Sequence, residues 1–297
     1  MSDTHITHIH IRTLFRSSLL HVMDYRCPGC EDGRGEIPQG YEIVLPRAGA
    51  YQRRDAHGTI LADPNQVLFY NQGEPYDVTH PVRGGDSSTV FVFAPALLIG
   101  MIRAYHPDIE DHPCHIFQRN HLTFNTSLQI LQYKLLCAEK FNAAPLQIEE
   151  QIITLTDEII RAMYREGTAR QRPSSANTLR AHADQTHAVK IFLNAHVHSP
   201  LQLEQISSAV HLSPYHLCRI FKQNTGMTIH QYVKRLRLFN AAEQMLENPK
   251  ARLDLLALDY GFSNHGNFST AFRQTFGLNP SALRGAQLRQ MSKILKA

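Results

Sequence analysis

The chain has 297 residues, 43% of them hydrophobic, so it is long enough to bury two separate cores. Its net charge is +4, and its longest apolar run, residues 94–102, is interrupted by Pro95 and Gly100 and is too short to span a bilayer. The chain also starts without an apolar signal segment, so we expect a cytoplasmic protein rather than a secreted or membrane-spanning one.

Short alternating or apolar runs rich in β-branched and aromatic residues recur from Leu19 to about Phe93 and predict strands. Clusters of Gly, Pro, Asn and Asp, as at residues 63–65 and 71–75, separate the runs and predict turns. Strands of this length and spacing are typical of a small barrel or jelly roll. The predicted strands cover residues 20–25, 41–45, 59–61, 66–70 and 88–93.

Two cysteines, Cys27 and Cys30, have the spacing of a metal-binding or thiol pair. A structural zinc site normally recruits a second pair, and none follows at a suitable spacing. Five cysteines, an odd number, are typical of reduced thiols in an intracellular protein. We therefore expect no metal and no cofactor, and a metal or redox sensor at Cys27 and Cys30 is the alternative.

Apolar stripes at helical spacing over residues 126–141 and 148–164 predict an antiparallel helix pair, interrupted at 142–145. These stripes cover the side of the barrel, form a contact between two copies of the chain, or do both. Residues 165–183 contain Gly, Pro, Ser and Arg without apolar periodicity and predict a linker.

One pattern occurs twice in the last third of the chain. In each copy a serine, Ser213 or Ser263, stands where the N-cap of a helix is expected, and apolar residues then recur at i, i+3 and i+4. A shorter helix and a tight turn precede each serine, which is the pattern of a helix-turn-helix motif. Residues 229–247 predict one long helix that fixes the distance between the two motifs.

Positive charge is concentrated in the same region. Residues 183–297 hold 13 Lys and Arg against 6 Asp and Glu, whereas residues 1–182 hold 17 against 20. Such a balance indicates contact with nucleic-acid phosphates, which makes affinity depend on salt.

The double pattern resembles the AraC/XylS family of bacterial transcription regulators over residues 184–285. In that family each motif places a recognition helix in a major groove, and the two grooves lie about 34 Å apart on one face of the duplex. Residues 61–78 resemble the cupin-like sensing domains found in many of these regulators. The residues that carry the main resemblance include Leu212-Ser213-Pro214, Arg219, Phe221-Lys222, Thr225-Gly226-Met227, Tyr232, Arg235, Arg237, Gly261-Phe262-Ser263, Phe268, Ala271-Phe272-Arg273 and Phe276-Gly277-Leu278-Asn279-Pro280.

The resemblance implies an α+β chain of two domains. Residues 1–164 are a cupin-like barrel with the helix pair at 126–164, and residues 165–183 are the linker. Residues 184–285 are an all-α domain with two helix-turn-helix motifs, and residues 286–297 are a tail.

Transferred by position, the resemblance also implies which side chains contact double-stranded DNA. Arg219 is the strongest candidate, because a guanidinium can bond guanine O6 and N7 together. Gly266 weakens the second helix by about 1 kcal/mol relative to Ala, so we expect the first helix to dominate base discrimination. The base candidates that the resemblance implies are Tyr215, Cys218, Arg219, His265, Gly266 and Thr270. The backbone candidates, chosen from the residues themselves for their charge or polarity, are Lys222, Lys234, Arg235, Arg237, Asn267, Ser269 and Arg273.

The barrel is expected to bind a small-molecule effector, and the chain to act as a homodimer with RNA polymerase as a further candidate partner. A cupin metalloenzyme fused to the DNA-binding module is the rival interpretation. It lacks the expected His-x-His with a following Glu, since His8-x-His10 precedes the first predicted strand in what we expect to be a mobile arm. We therefore expect no enzyme activity. The candidate effector residues are Tyr41, His57, Tyr70, Tyr76 and His80.

Overall fold

The structure, a computed structural model, describes residues 9–29, 34–106, 109, 116–123, 145–166 and 176–284. The chain forms two compact units, which we call the barrel unit (Met1–Thr123 with Ala183–Ala195) and the helical unit (Phe124–His182 with His196–Ala297). Strands make up most of the first and helices most of the second, which confirms the predicted α+β class. Across the described ranges, no helix combines the length and the apolar character needed to cross a lipid bilayer.

Two antiparallel sheets form the barrel unit. The six-stranded sheet has the order β1-β2-β9-β4-β7-β10, and the four-stranded sheet has the order β3-β8-β5-β6. Buried residues of both sheets, among them Val44, Tyr51, Leu68 and Tyr70, pack in one core cluster. The strands are β1 (His10–Arg16), β2 (Leu20–Cys27), β3 (Arg34–Glu36), β4 (Tyr41–Gly49), β5 (Tyr51–Asp55), β6 (Gly58–Ala62), β7 (Gln66–Tyr70), β8 (Tyr76–Thr79), β9 (Asp86–Phe93) and β10 (His121–Thr123).

Gly49 forms a corner at which the chain passes from one sheet to the other. It ends β4 in the six-stranded sheet, and β5 in the four-stranded sheet begins only two residues later. Its φ of +70° is open to glycine at little cost, and a Cβ there would overlap the carbonyl oxygen of Gly85. Gly49 therefore allows both the bend and the close approach of the segment before β9.

Each of the five predicted strands is present, whereas β1, β3, β5, β8 and β10 were not predicted. β1 shows why, because its side chains are exposed or half-buried and give no apolar alternation. The prediction of a mobile arm is wrong at His10, which begins β1 and pairs with Arg26. His8 lies outside the described residues.

The chain is helical over most of its second half. The first helix of the predicted pair, at 126–141, lies outside the described residues, and α2 covers the range of the second. Residues 165–183 were predicted as a linker, but α3 begins within that range, at Ala176. The Ala, Leu and Arg residues at its start favour helix. The helices are α1 (Pro95–Arg103), α2 (Pro145–Glu166), α3 (Ala176–Ala195), α4 (Leu203–Ala209), α5 (Pro214–Thr225), α6 (Ile229–Glu247), α7 (Leu253–Asp259) and α8 (His265–Phe276).

The long helix α6 has the predicted bounds and a complete capping box. The Gln231 backbone N–H donates to Thr228 Oγ1 at 3.2 Å, and the Thr228 N–H donates to Gln231 Oε1 at 2.9 Å. Its apolar side packs edge to face on both neighbours, with Tyr232 against Phe221 of α5 and Phe239 against Phe276 of α8. At about 1.5 Å per residue α6 is about 28 Å long, and it joins the two helix-turn-helix motifs.

Candidate nucleic-acid interface and effector cavity

The first helix-turn-helix motif consists of α4, a turn at His211 and α5. His211 has φ +54°, and the next residue, Leu212, donates its N–H to the Ser207 carbonyl at 3.0 Å. Ser213 caps α5 as predicted, since its Oγ accepts the His216 N–H at 3.3 Å. Gly226 ends α5 in the left-handed conformation.

The second motif consists of α7, a turn at Gly261 and α8, and its cap differs from the prediction. Asn264, not Ser263, is the N-cap, because its Oδ1 accepts the Asn267 N–H at 2.8 Å. The reason is one extra residue in the turn: Asn264 is three residues after Gly261, whereas Ser213 is two after His211. Ser263 instead accepts a bond from Asn267 Nδ2 at 2.7 Å, which holds the turn against the start of α8.

The exposed face of α5 carries three of the predicted base contacts. The Tyr215 side chain is 78% exposed, and Cys218 and Arg219 are also exposed, while Leu217, Ile220 and Phe221 are buried. Arg219 Nη2 lies 3.3 Å from His216 Nδ1 at the rim of this face. The helix therefore presents its polar side outward, as a recognition helix must.

Counted from its cap, α8 repeats this arrangement with smaller side chains. His265, Gly266 and Thr270 are exposed, and Ser269 is half-buried. The two helices thus place most of the predicted contacts in matched pairs, except that His265 falls at the position of Pro214 and Asn267 at that of His216. The pairs are Tyr215 with Gly266, Cys218 with Ser269, Arg219 with Thr270, and Lys222 with Arg273.

The predicted phosphate contacts lie in two different environments. Lys222, Asn267 and Arg273 are exposed on the recognition helices, whereas Lys234 and Arg235 are half-buried on α6. Lys234 borders a groove between α6 and the second motif. The other polar residues that line this groove are His230, Arg237, Ser263, Asn267, Thr270 and Gln274.

Arg237 has a structural role that the sequence did not indicate. Its Nε donates to the Val197 carbonyl at 2.9 Å, and its Nη2 donates to the Ser199 carbonyl at 2.6 Å. Burial lowers the pKa of its guanidinium, and a Cβ on Gly261 would lie 2.7 Å from its Nη1. Arg237 therefore ties α6 to the segment before α4 and to the second turn, so two of its three nitrogens are not directed at a phosphate.

A cavity of about 460 Å³ lies within the barrel unit and is lined by both sheets. Of the five predicted effector residues, Tyr70, Tyr76 and His80 line it. Tyr41 does not, because successive residues of β4 face opposite sides: Glu42 and Val44 line the cavity, and Tyr41 packs against Phe117. His57 lies exposed at the turn between β5 and β6, so its assignment to the cavity is also wrong.

Hydroxyl and carboxyl groups form the polar part of the cavity wall. Tyr51 OH lies 2.9 Å from Tyr70 OH, and Tyr76 OH donates to Glu36 Oε2 at 2.5 Å. Burial, together with the neighbouring Glu36 carboxylate, raises the pKa of Glu42 to about 7. The cavity therefore holds a carboxyl group that titrates near neutral pH.

Charges around the cavity favour some ligands over others. Its acidic lining residues are Glu36, Glu42 and Asp86, and none of the described lining residues is Lys or Arg. The Arg53 guanidinium lies outside the lining, 3.9 Å from the centre of the Tyr70 ring, and donates to the Phe69 carbonyl at 2.6 Å. Burial raises the pKa of Tyr70 to about 12, so its hydroxyl stays protonated at neutral pH.

Four residues that line the cavity were not predicted from the sequence: Glu36, Glu42, Tyr51 and Asp86. The alternation of β4 could have identified Glu42, because Tyr41, Ile43 and Leu45 form a continuous apolar face on the opposite side. Cys27 also lines the cavity at the end of β2, whereas Cys30 lies outside the described residues.

The fold and the exposed faces of α5 and α8 define a double helix-turn-helix DNA-binding protein with a cupin-like barrel. Residues 206–286 match a family described as a helix-turn-helix domain. The chain is 32% identical over 169 residues to the HTH-type transcriptional regulator ArgR of Pseudomonas aeruginosa, covering 56% of this chain and 49% of ArgR. It is 36% identical over 84 residues to the probable transcription factor PqrA of Proteus vulgaris, covering 28% of this chain and 68% of PqrA.

A solved structure from Chromobacterium violaceum, a transcriptional regulator with an AraC-type DNA-binding domain, is 28% identical, with a TM-score of 0.34, and covers 36% of this chain and 96% of that one. Several of the curated relatives are matched over about half of their length. The chain belongs to the AraC/XylS family of transcription regulators, as its sequence predicted.

Proposed function

We propose that this protein is a sequence-specific transcription regulator that inserts α5 and α8 into successive major grooves and responds to a small molecule in its barrel. The observation that carries the proposal is the pair of capped helices, joined by α6, whose polar faces are exposed. Each has a buried apolar stripe against α6 and a basic residue, Lys222 or Arg273, at the matched position of its last turn. No catalytic step is assigned to the chain.

The exposed side chains of α5 and α8 differ in size, which supports different roles for the two helices in DNA recognition. α5 offers a phenol and a guanidinium, whereas α8 offers Gly266 and Thr270 at the matched positions. Long donors reach base edges, and small residues permit close approach to the backbone. We therefore assign most base discrimination to α5, and assign α8 mainly to backbone contact through Asn267, Ser269 and Arg273.

The lining of the cavity supports a neutral or cationic effector with an apolar body. Apolar walls from Met23, Val44, Val90 and Val92 surround the carboxyl groups, and the volume suits a small organic ligand. An anionic ligand would face Glu36, Glu42 and Asp86 without a lysine or arginine among the described lining residues. Amine, alcohol and carboxylate ligands with one shared hydrocarbon body test this directly, and the carboxylate should raise the melting temperature least.

The family resemblance supports a homodimer formed through the region at 126–164, action in the cytoplasm on nucleoid DNA, and contact with RNA polymerase. Sedimentation of the full chain at micromolar concentration tests the dimer. A monomer at that concentration, both free and bound to DNA, would remove this part of the proposal.

Genomic selection of bound DNA by the full chain, followed by footprinting at fixed near-physiological salt, tests the central proposal. We expect protection of two adjacent major grooves on one face, about one helical turn apart. Binding that is indifferent to sequence, both with and without extracts that contain small molecules, would contradict it.

A further inference from the structure

Three side chains of different chemistry meet at one end of the cavity. Cys27 ends β2, Asp86 begins β9 directly opposite it, and His80 follows β8 of the other sheet. One sulfur, nitrogen or oxygen atom from each of them lies within 4.8 Å of the other two. Tetrahedral ligands of a zinc ion lie about 3.3–3.8 Å apart, so only small side-chain adjustments separate this arrangement from a coordination site.

The backbone holds the three residues together independently of any ligand. Gly85 has φ +67°, and a Cβ there would overlap the Cys27 carbonyl oxygen and lie 2.7 Å from the Gly29 nitrogen. Gly49 meets the other side of the same segment. The segment from His80 to Asp86 can therefore lie on the end of β2 because position 85 carries no side chain.

The cluster is shielded from bulk water. The side chains of His80 and Asp86 are each 3% exposed, and Cys27 is 6% exposed. His80 Nε2 lies 2.9 Å from Asp86 Oδ1, and Ser88 Oγ donates to Asp86 Oδ2 at 2.9 Å, which orients the carboxylate. The Ser88 bond is an outer bond to a ligand carboxylate, which is a usual part of metal sites, whereas the direct His80–Asp86 bond would be replaced by bonds to the ion.

We propose that Cys27, His80 and Asp86 bind one divalent transition-metal ion of the zinc type. A thiolate, an imidazole and a carboxylate are together a donor set for Zn²⁺, and three protein ligands leave a fourth position open. All three residues line the cavity, so the open position faces the ligand space. On binding, the thiol releases its proton to solvent, and His80 coordinates as a neutral imidazole whose one proton sits on the ring nitrogen that does not bind the ion. The charge of the ion neutralises the thiolate and the Asp86 carboxylate.

This inference extends beyond the DNA-binding function and does not depend on it. A resident ion would give the cavity an electrophilic anchor at the end formed by β2 and β9. A neutral ligand with a nitrogen, sulfur or oxygen donor could then complete the coordination, which would make effector binding dependent on the metal.

Cobalt titration of the full chain, purified without a polyhistidine tag and stripped with a chelator, tests the site. We expect one equivalent of Co²⁺ to produce a thiolate-to-cobalt charge-transfer band, and one equivalent of Zn²⁺ to abolish it. X-ray absorption of the zinc form should show one sulfur at about 2.3 Å and nitrogen or oxygen ligands at about 2.0–2.2 Å.

Matched variants test whether Cys27 and His80 hold the ion, with the exposed Cys218 as the control. Cys27→Ser should lose the band, and His80→Gln should weaken binding at least about 100-fold. Cys218→Ser, which alters an exposed thiol of the helical unit, should bind as the unaltered chain does. Equal melting temperatures of the stripped proteins would show that each variant folds.

Two results would overturn the proposal. One is a titration in which the folded, unaltered chain gives no charge-transfer band with Co²⁺, whether or not the ion binds elsewhere on the chain. The other is a band that persists in Cys27→Ser or disappears in Cys218→Ser. Either result would leave the His80–Asp86 pair as a buried hydrogen bond with no metal.

Discussion

His211 and Gly261 occupy the same place in the two helix-turn-helix motifs, and both have left-handed backbone angles, φ +54° and +70°. The residue after each donates to a carbonyl of the preceding short helix, at 3.0 Å for Leu212 and 2.9 Å for Phe262. A histidine in this conformation is strained, whereas a glycine is not.

Substitutions at these two turns should therefore change the free energy of unfolding in different ways. Gly261→Ala should lower the free energy of unfolding by about 1–3 kcal/mol, because it adds strain and displaces the Arg237 guanidinium. His211→Gly should leave it unchanged or raise it by up to about 1 kcal/mol. Urea unfolding followed by circular dichroism measures both, and equal losses in the two variants would contradict the equivalence of the turns.

Removal of the caps should show that Asn264 replaces the predicted Ser263. Ser213→Ala and Asn264→Ala should each cost about 1 kcal/mol, since each leaves a helix N–H without its partner. Ser263→Ala should cost about half as much or less, because Ser263 accepts only a side-chain bond. Urea unfolding gives the order, and a larger loss for Ser263→Ala than for Asn264→Ala would refute the assignment.

Arg219→Ala should weaken binding to the selected site by about 1–3 kcal/mol while binding to random duplex is largely kept. The reason is that only base contacts carry sequence information. Thr270→Ala, at the matched position of α8, is the control and should cost less. Fluorescence anisotropy at one fixed salt concentration measures the affinities of the unaltered chain and of both variants for the two duplexes. Equal losses on both duplexes for Arg219→Ala would exclude it as a base contact.

Arg273 and Arg237 were both predicted to contact the DNA backbone, but substitutions at the two positions should have different effects. Arg273→Gln should reduce the slope of log affinity against log salt by about 1 and leave stability unchanged, since Arg273 is exposed. Arg237→Gln should lower the free energy of unfolding by about 2 kcal/mol, because it loses bonds to two carbonyls. A salt-slope change without a stability change in Arg237→Gln would restore it to the phosphate contacts.

The pH dependence of stability should reveal Glu42. Its pKa is raised to about 7 in the folded chain from 4.5, so between these values the folded state binds more protons than the unfolded state. Stability contributed by this group is present below pH 4.5 and is lost as pH rises through about 7. Glu42→Gln should therefore be more stable than the unaltered chain above pH 7, and a parallel pH profile in the two proteins would contradict the shift.

The helical unit was predictable because its signals are local. Caps, turn glycines and apolar residues at i, i+3 and i+4 lie within a few residues of each other, so α6 was predicted at Ile229–Glu247 with no error. The cap of α8 was misplaced because two neighbouring residues, Ser263 and Asn264, are both good caps and a turn can gain one residue.

The cavity was less predictable because its members come from distant parts of the chain. Tyr51 and Tyr70 meet across the two sheets, and Cys27 meets Asp86 only through strand pairing. Tyr41 and His57 were chosen by residue type, and neither the alternation along β4 nor the β5–β6 turn was considered. Arg237 was assigned from charge and spacing, which do not show that carbonyls bind its guanidinium.

The second turn has one extra residue, and α8 carries smaller side chains than α5. The two recognition helices therefore cannot replace each other on the same DNA sequence. Under the proposed function, a single chain therefore binds DNA in one orientation, and its binding site is asymmetric. Reversing that site beside a gene would exchange the helix that faces the promoter without altering a single base contact. The orientation of the bound chain, and not only whether the site is occupied, would then affect the promoter.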